Sequence, residues 1–130
     1  MYSAMYREFL IESEFKGDKP APWMSGNKNR NIIRVTNTET DEFIEFDFWG
    51  SMAHPVVKTE NDLLNAFQCF VSDAIYADQG FSEFCSTLGY DKYDEEAERV
   101  YNECLEHLKM LESIYDGDIY DLSNELSAYA

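Results

Sequence analysis

Two stretches decide the fold: Asn31-Ile-Ile-Arg-Val-Thr-Asn37 and Glu42-Phe-Ile-Glu-Phe-Asp-Phe-Trp49. In the first, Ile33 and Val35 alternate with Arg34 and Thr36. In the second, Ile44, Phe46 and Phe48 alternate with Glu45 and Asp47. A period of two gives a strand one apolar and one polar face, so both segments belong to a sheet with one buried face. Thr38-Glu-Thr-Asp41 between them has the composition of a turn.

Residues 5–15 mix aromatic and branched side chains with charges and lack a helical period, so they read as a third strand. Residues 16–29 read as a loop, punctuated by Gly17, Pro20, Pro22 and Gly26, with Trp23 expected to fold back onto the core. After Trp49 the segment Gly50 to Lys58, containing Pro55, leaves the sheet and the period changes. Thr59 reads as a helix cap with Glu60 and Asp62 in the first turn. Leu63, Leu64, Phe67, Phe70, Val71, Ala74 and Ile75 follow at helical spacing until Gly80. Ser82 is expected to cap a short helix closed by Gly89. Asp94 opens the longest helix, about residues 94–115, with Ala97, Val100, Tyr101, Cys104, Leu108, Leu111 and Ile114 inward and Gly117 as its stop. A last short helix covers about 119–127, with Ile119, Leu122 and Leu126 inward. The expectation is a single α+β domain over 1–130. An N-terminal three-stranded antiparallel sheet (1–50) is followed by three to four helices (59–127) packed on one of its faces.

The chain has 130 residues, 45% of them hydrophobic and 15% aromatic, which suits a folded core rather than a disordered chain. Its 26 acidic residues against 10 basic ones give a net charge of −16. Residues 1–40 carry six Lys/Arg and five Asp/Glu; residues 41–130 carry four and 21. The field therefore comes from the later part of the chain. It repels phosphates, so direct nucleic-acid binding and anionic membranes are disfavoured and a basic protein partner is favoured. Cys69, Cys85 and Cys104 form no CxxC pair, and all three are read as small core residues of a chain from a reducing, cytoplasmic compartment. No signal peptide and no membrane span are read.

Catalytic chemistry finds little footing. Cys104 and His107 stand three apart on one helix, but a zinc site needs further ligands that the spacing does not supply, so they read as a core Cys beside a surface His. Asp116-x-Asp118 with Asp121 opens like a calcium loop. Its sixth and twelfth positions hold Asp121 and Ser127 rather than Gly and Glu, so an acidic helix-to-helix turn is expected. Nucleotide-binding and hydrolase fingerprints are absent from the sequence. No enzyme activity, metal or cofactor is therefore expected.

The acids of the long helix lie mainly off its apolar stripe. Glu95, Glu98, Glu103, Glu106, Asp116, Asp118 and Asp121 are the expected partner-contact residues, with Tyr90, Tyr93, Tyr115 and Tyr120 as further contacts. Carboxylates in such a row imitate phosphates to a basic groove.

From Phe48-Trp49-Gly50-Ser51 onward, through Phe81-Ser82-Glu83-Phe84-Cys85, Gly89-Tyr90-Asp91 and a helix with Ala97, Tyr101 and Cys104, the chain resembles a widespread family of small bacteriophage and prophage proteins. The resemblance covers about the last two thirds of the chain. Its motifs are structural and carry no catalytic residue over. It implies phage origin and a bacterial host cytoplasm. Acidic proteins of that kind resemble anti-CRISPR and antirestriction inhibitors, so the expected partner is a CRISPR effector or restriction nuclease, bound stoichiometrically by nucleic-acid mimicry. The rival expectation is a non-catalytic phage adaptor or assembly protein binding through an apolar patch around Trp23 and Met24. A homodimer is compatible with either.

Overall fold

Among the described residues four strands form the sheet, rather than three. They are β1 (Tyr2–Tyr6), β2 (Phe9–Pro20), β3 (Asn27–Asn37) and β4 (Phe43–Gly50), antiparallel and in sequence order across the sheet. The described residues after the sheet form α1 (Glu60–Asp78), α2 (Phe81–Leu88), α3 (Glu95–Ile114) and α4 (Ile119–Ser127). The architecture is α+β. The computed structural model describes residues 2–20, 27–50 and 59–128. The chain divides into two compact units, Met1–Phe67 and Gln68–Ala128, with the boundary inside α1.

The additional strand arises because the segment expected as one strand over 5–15 is broken at Arg7-Glu8, with β1 running back to Tyr2 and β2 starting at Phe9. Tyr6 pairs with Phe9, leaving Arg7 and Glu8 as a two-residue turn with φ of +53° at Arg7. Such turns normally announce themselves with Gly or Asn, and this one does not. It is held from outside. The Glu8 carbonyl accepts both the Thr38 N–H (2.8 Å) and the Thr38 hydroxyl (2.7 Å), which joins the β1–β2 turn to the β3–β4 turn. In the latter turn Asp41 takes φ of +63°, and its N–H donates to the Asn37 carbonyl at 2.8 Å.

The expected loop over 16–29 is also shorter than read. Phe15 pairs with Asn31 and Asp18 with Asn29, so Lys16 and Gly17 together face Arg30 as a bulge. Gly17 thus marks a strand irregularity and Pro20 a strand end. Trp23, Met24, His54 and Pro55 lie outside the described residues.

The inward face carries Ala4, Ile11, Val35 and Ile44 as one cross-strand row. Ser13, Ile33 and Phe46 form the next. Phe9 meets Phe67 of the first α1 turns edge-on at 5.4 Å between ring centres, so the start of α1 covers this face. Thr59 and Asp62 cap α1 reciprocally. The Thr59 hydroxyl accepts the Asp62 N–H at 3.1 Å, and the Asp62 carboxylate accepts the Thr59 N–H at 3.0 Å.

In the second unit α2 begins after Gly80, not at Ser82, which already sits inside the helix. Gly89 closes it in the left-handed region, φ +76°, while the Tyr90 N–H reaches back to the Cys85 carbonyl at 2.9 Å. No atom lies within 4 Å of a Cβ built at Gly89. Gly89→Ala should therefore cost about 1 kcal/mol through backbone conformation alone, read as a lowered urea midpoint at unchanged slope. Asp94 caps α3 by accepting the Glu96 N–H at 2.9 Å. The helix stops where Tyr115 turns extended, two residues before Gly117. Gly117 is constrained for another reason: the Tyr115 ring occupies the space a Cβ would need. Leu122 and Leu126 of α4 are fully buried, as are Phe84 and Leu111.

Candidate functional site

The apolar stripe of α3 fixes where its acids go. Ala97, Cys104, Leu111 and Ile114 are buried. At 3.6 residues per turn, Glu95, Glu98 and Glu106 fall away from this stripe and Glu103 on its flank, and all four are exposed. Two cations interrupt the row. Arg99 donates from Nε (3.1 Å) and Nη2 to Glu96 and from Nη1 to Glu103 at 2.6 Å. Those hydrogen bonds hold the Glu96 carboxyl below its ordinary range. Lys109 lies 3.4 Å from Glu106. Of the four helix acids, Glu95 and Glu98 have no ion pair among the described residues.

Spacing sets a scale. Four acids from Glu95 to Glu106 span about 16 Å of helix axis, one per roughly 5 Å. A DNA duplex presents one charge per about 1.7 Å and a single strand one per about 3.4 Å. This face alone is sparser than either.

Density rises at the far end of the helix. Asp78 at the end of α1, Leu108 and Glu112 of α3, and Tyr115 through Tyr120 line one open groove. It gathers Asp78, Glu112, Asp116 and Asp118, with the rings of Tyr115 and Tyr120 among them. The Tyr120 hydroxyl donates to Asp78 Oδ2 at 3.0 Å, and that bond raises the phenol above its ordinary pKa. The Asp118 carboxylate accepts the Tyr120 N–H at 2.8 Å as the cap of α4. The would-be calcium loop is thus a capped helix-to-helix turn. Asp121 is exposed in the first turn of α4.

Asp78 and Glu112 are the groove residues missing from the sequence reading of the site. A local signal marks them: each stands in the last turn of its helix, where the dipole favours cations. None of the four helices has a basic residue in its last turn. The expected tyrosines divide. Tyr90 stacks on Phe84 at 6.0 Å and belongs to the core, whereas Tyr93 is 92% exposed.

Cys85 and Cys104 are buried as read, but Cys69 is exposed, on the far side of α1 from Phe67 and Phe70. His107 tilts against Phe70 at 4.6 Å, with Nδ1 3.4 Å from Asp73 Oδ2. Burial, aided by Asp73 and Glu103, pushes the Cys104 thiol up to about 12. Among the described residues no three His, Cys, Asp or Glu side chains are arranged to hold a metal ion, and no helix is long and apolar enough to cross a membrane. No family model, no curated protein and no solved structure matches the chain.

Proposed function

We propose that the protein is a non-catalytic binding protein whose acidic surface occupies the basic, nucleic-acid-binding groove of another protein. The observation that carries this is the convergence of Asp78, Glu112, Asp116 and Asp118 on one tyrosine-lined groove. Residues 68–128 hold 15 Asp/Glu against three Lys/Arg, a net of −12. Two of the groove acids sit against their helix dipoles, so local stability is given up to keep them there. Tyrosine rings beside carboxylates suit arginine, which stacks on the ring face while pairing with the acids. The partner class we propose is a host defence nuclease, either a CRISPR effector or a restriction enzyme. Inhibition is stoichiometric and the setting is a phage-infected bacterial cytoplasm. Glu95, Glu98 and Asp121 extend the contact beyond the groove. Glu103 and Glu106 contribute less, since Arg99 and Lys109 already engage them.

The test is capture from bacterial lysate at low salt followed by a salt gradient, with the wild type and an Asp78→Lys/Glu112→Lys/Asp116→Lys variant. Recovery of a nuclease that moderate salt releases and DNA displaces is the expected outcome. The variant should bind that nuclease at least about tenfold more weakly, mainly through slower association. A partner without a basic groove, held at high salt and indifferent to the three reversals, overturns the reading.

A further inference from the structure

The outward face of the sheet carries a second, separate surface. Met5, Leu10, Thr36 and Phe43 are register partners on successive strands and form one row. With strands about 4.8 Å apart the row is about 14 Å long. Met5 is 57% and Phe43 51% exposed, the Phe43 ring being only partly overlaid by the Arg34 guanidinium. The next row, about 7 Å along the strands, is charged: Glu12, Arg34 and Glu45 are again register partners. Arg34 is already committed. Its Nε and Nη2 both donate to Glu45 Oε2, at 3.2 and 3.1 Å, and its guanidinium lies 4.4 Å from the centre of the Phe43 ring. Glu12 has no ion pair among the described residues, and with Ile32, Arg34 and Glu45 it lines a shallow groove beside the apolar row.

Charge selects the occupant. A second copy laid face to face would bring Glu12 and Glu45 against like charges in a chain of net −16, which the apolar row is too small to offset. A purely apolar partner would strip water from the Glu12 carboxylate and offer it nothing. We infer that this face docks a partner-protein segment bearing a large apolar side chain about 7 Å from a lysine or arginine, the apolar group on the Met5–Phe43 row and the cation at Glu12. In an extended segment that spacing is two residues. The inference does not rest on the helical groove.

The probe is a short synthetic peptide with phenylalanine and arginine two positions apart. Two controls of equal length replace every arginine by glutamate or every phenylalanine by serine. Titration into the isotope-labelled full chain should move the amide signals of Met5, Leu10, Glu12, Thr36 and Phe43 first, and both controls should bind at least about tenfold more weakly. Phe43→Ser and Met5→Ser, which leave the net charge unchanged, should each weaken the arginine–phenylalanine peptide by up to about tenfold. Glu95→Gln/Glu98→Gln should not. The inference fails if the peptide does not bind, or if the shifts concentrate in residues 95–121. It also fails if both apolar variants bind as the wild type does, or if they instead dissociate a homodimer.

Discussion

Replacing Phe84 by alanine is expected to lower the free energy of unfolding by about 3–5 kcal/mol. Phe84 is fully buried in α2. Tyr90 stacks over it at 6.0 Å with the rings nearly parallel, and Tyr101 of α3 meets it edge-on at 5.2 Å. Ala77, Cys85, Ala97 and Cys104 complete the buried cluster, so alanine leaves a void bounded by the two rings. Domains of this size are stable by only about 5–15 kcal/mol, so the loss is a large share of the whole. Urea unfolding followed by circular dichroism gives the measurement. Phe84→Leu, which keeps most of the volume, should cost about 1–1.5 kcal/mol and separates the cavity from general damage. A Phe84→Ala loss below about 1 kcal/mol would mean that the cluster collapses freely around the void and is not the rigid centre of α2 and α3.

What the sequence made legible was local and periodic. Ile33, Val35, Ile44 and Phe46 stand at alternate positions, and the sheet buries all four. Thr59, Asp94 and Gly89 occupy the capping positions their chemistry suits, because each acts within a few residues of itself. The Arg7–Glu8 turn was illegible for the opposite reason. Its unusual backbone is stabilised by Thr38, about 30 residues away, rather than by a residue type that announces it. Cys69 was readable and misread: it follows Phe67 by two and precedes Phe70 by one, which turns it well away from the stripe. The acidic face of α3 follows from its period, and Arg99 in its middle neutralises part of it. Glu96, Arg99 and Glu103 stand at the three- and four-residue spacings that pair on a helix. The groove is tertiary. Asp78 and Glu112 meet only once α1 and α3 are packed, and only their unfavourable helix-end positions hinted at it.

In the folded protein at about pH 8, a thiol-exchange reagent should titrate Cys69 alone, and all three cysteines only after denaturation. Cys69 is exposed and Cys85 is sealed in the α2–α3 cluster. Cys104 is protected twice over, by burial and by its chemistry. With its thiol pushed to about 12 from an ordinary 9.0, its thiolate is about a thousandfold scarcer below pH 9. Desolvation is the main cause, and the carboxylates of Asp73 and Glu103 add to it. Cys69 is raised too, by desolvation and then by Asp73. Asp73→Asn should therefore speed the labelling of Cys69 without exposing Cys104. The linkage has a definite sign. The folded state holds the Cys104 proton more tightly than the unfolded chain does, so this contribution to stability is complete below about pH 9. It is lost as pH rises toward 12, at up to about 1.4 kcal/mol per pH unit. Unfolding midpoints measured across that window should fall in the wild type and fall less in Cys104→Ala, whose residual slope includes Cys69 and Tyr120, both also raised. Labelling of Cys104 as fast as Cys69 in the folded state would show that α1 and α3 separate on the reagent's timescale. The groove they frame with α4 would then be a transient surface rather than a standing one.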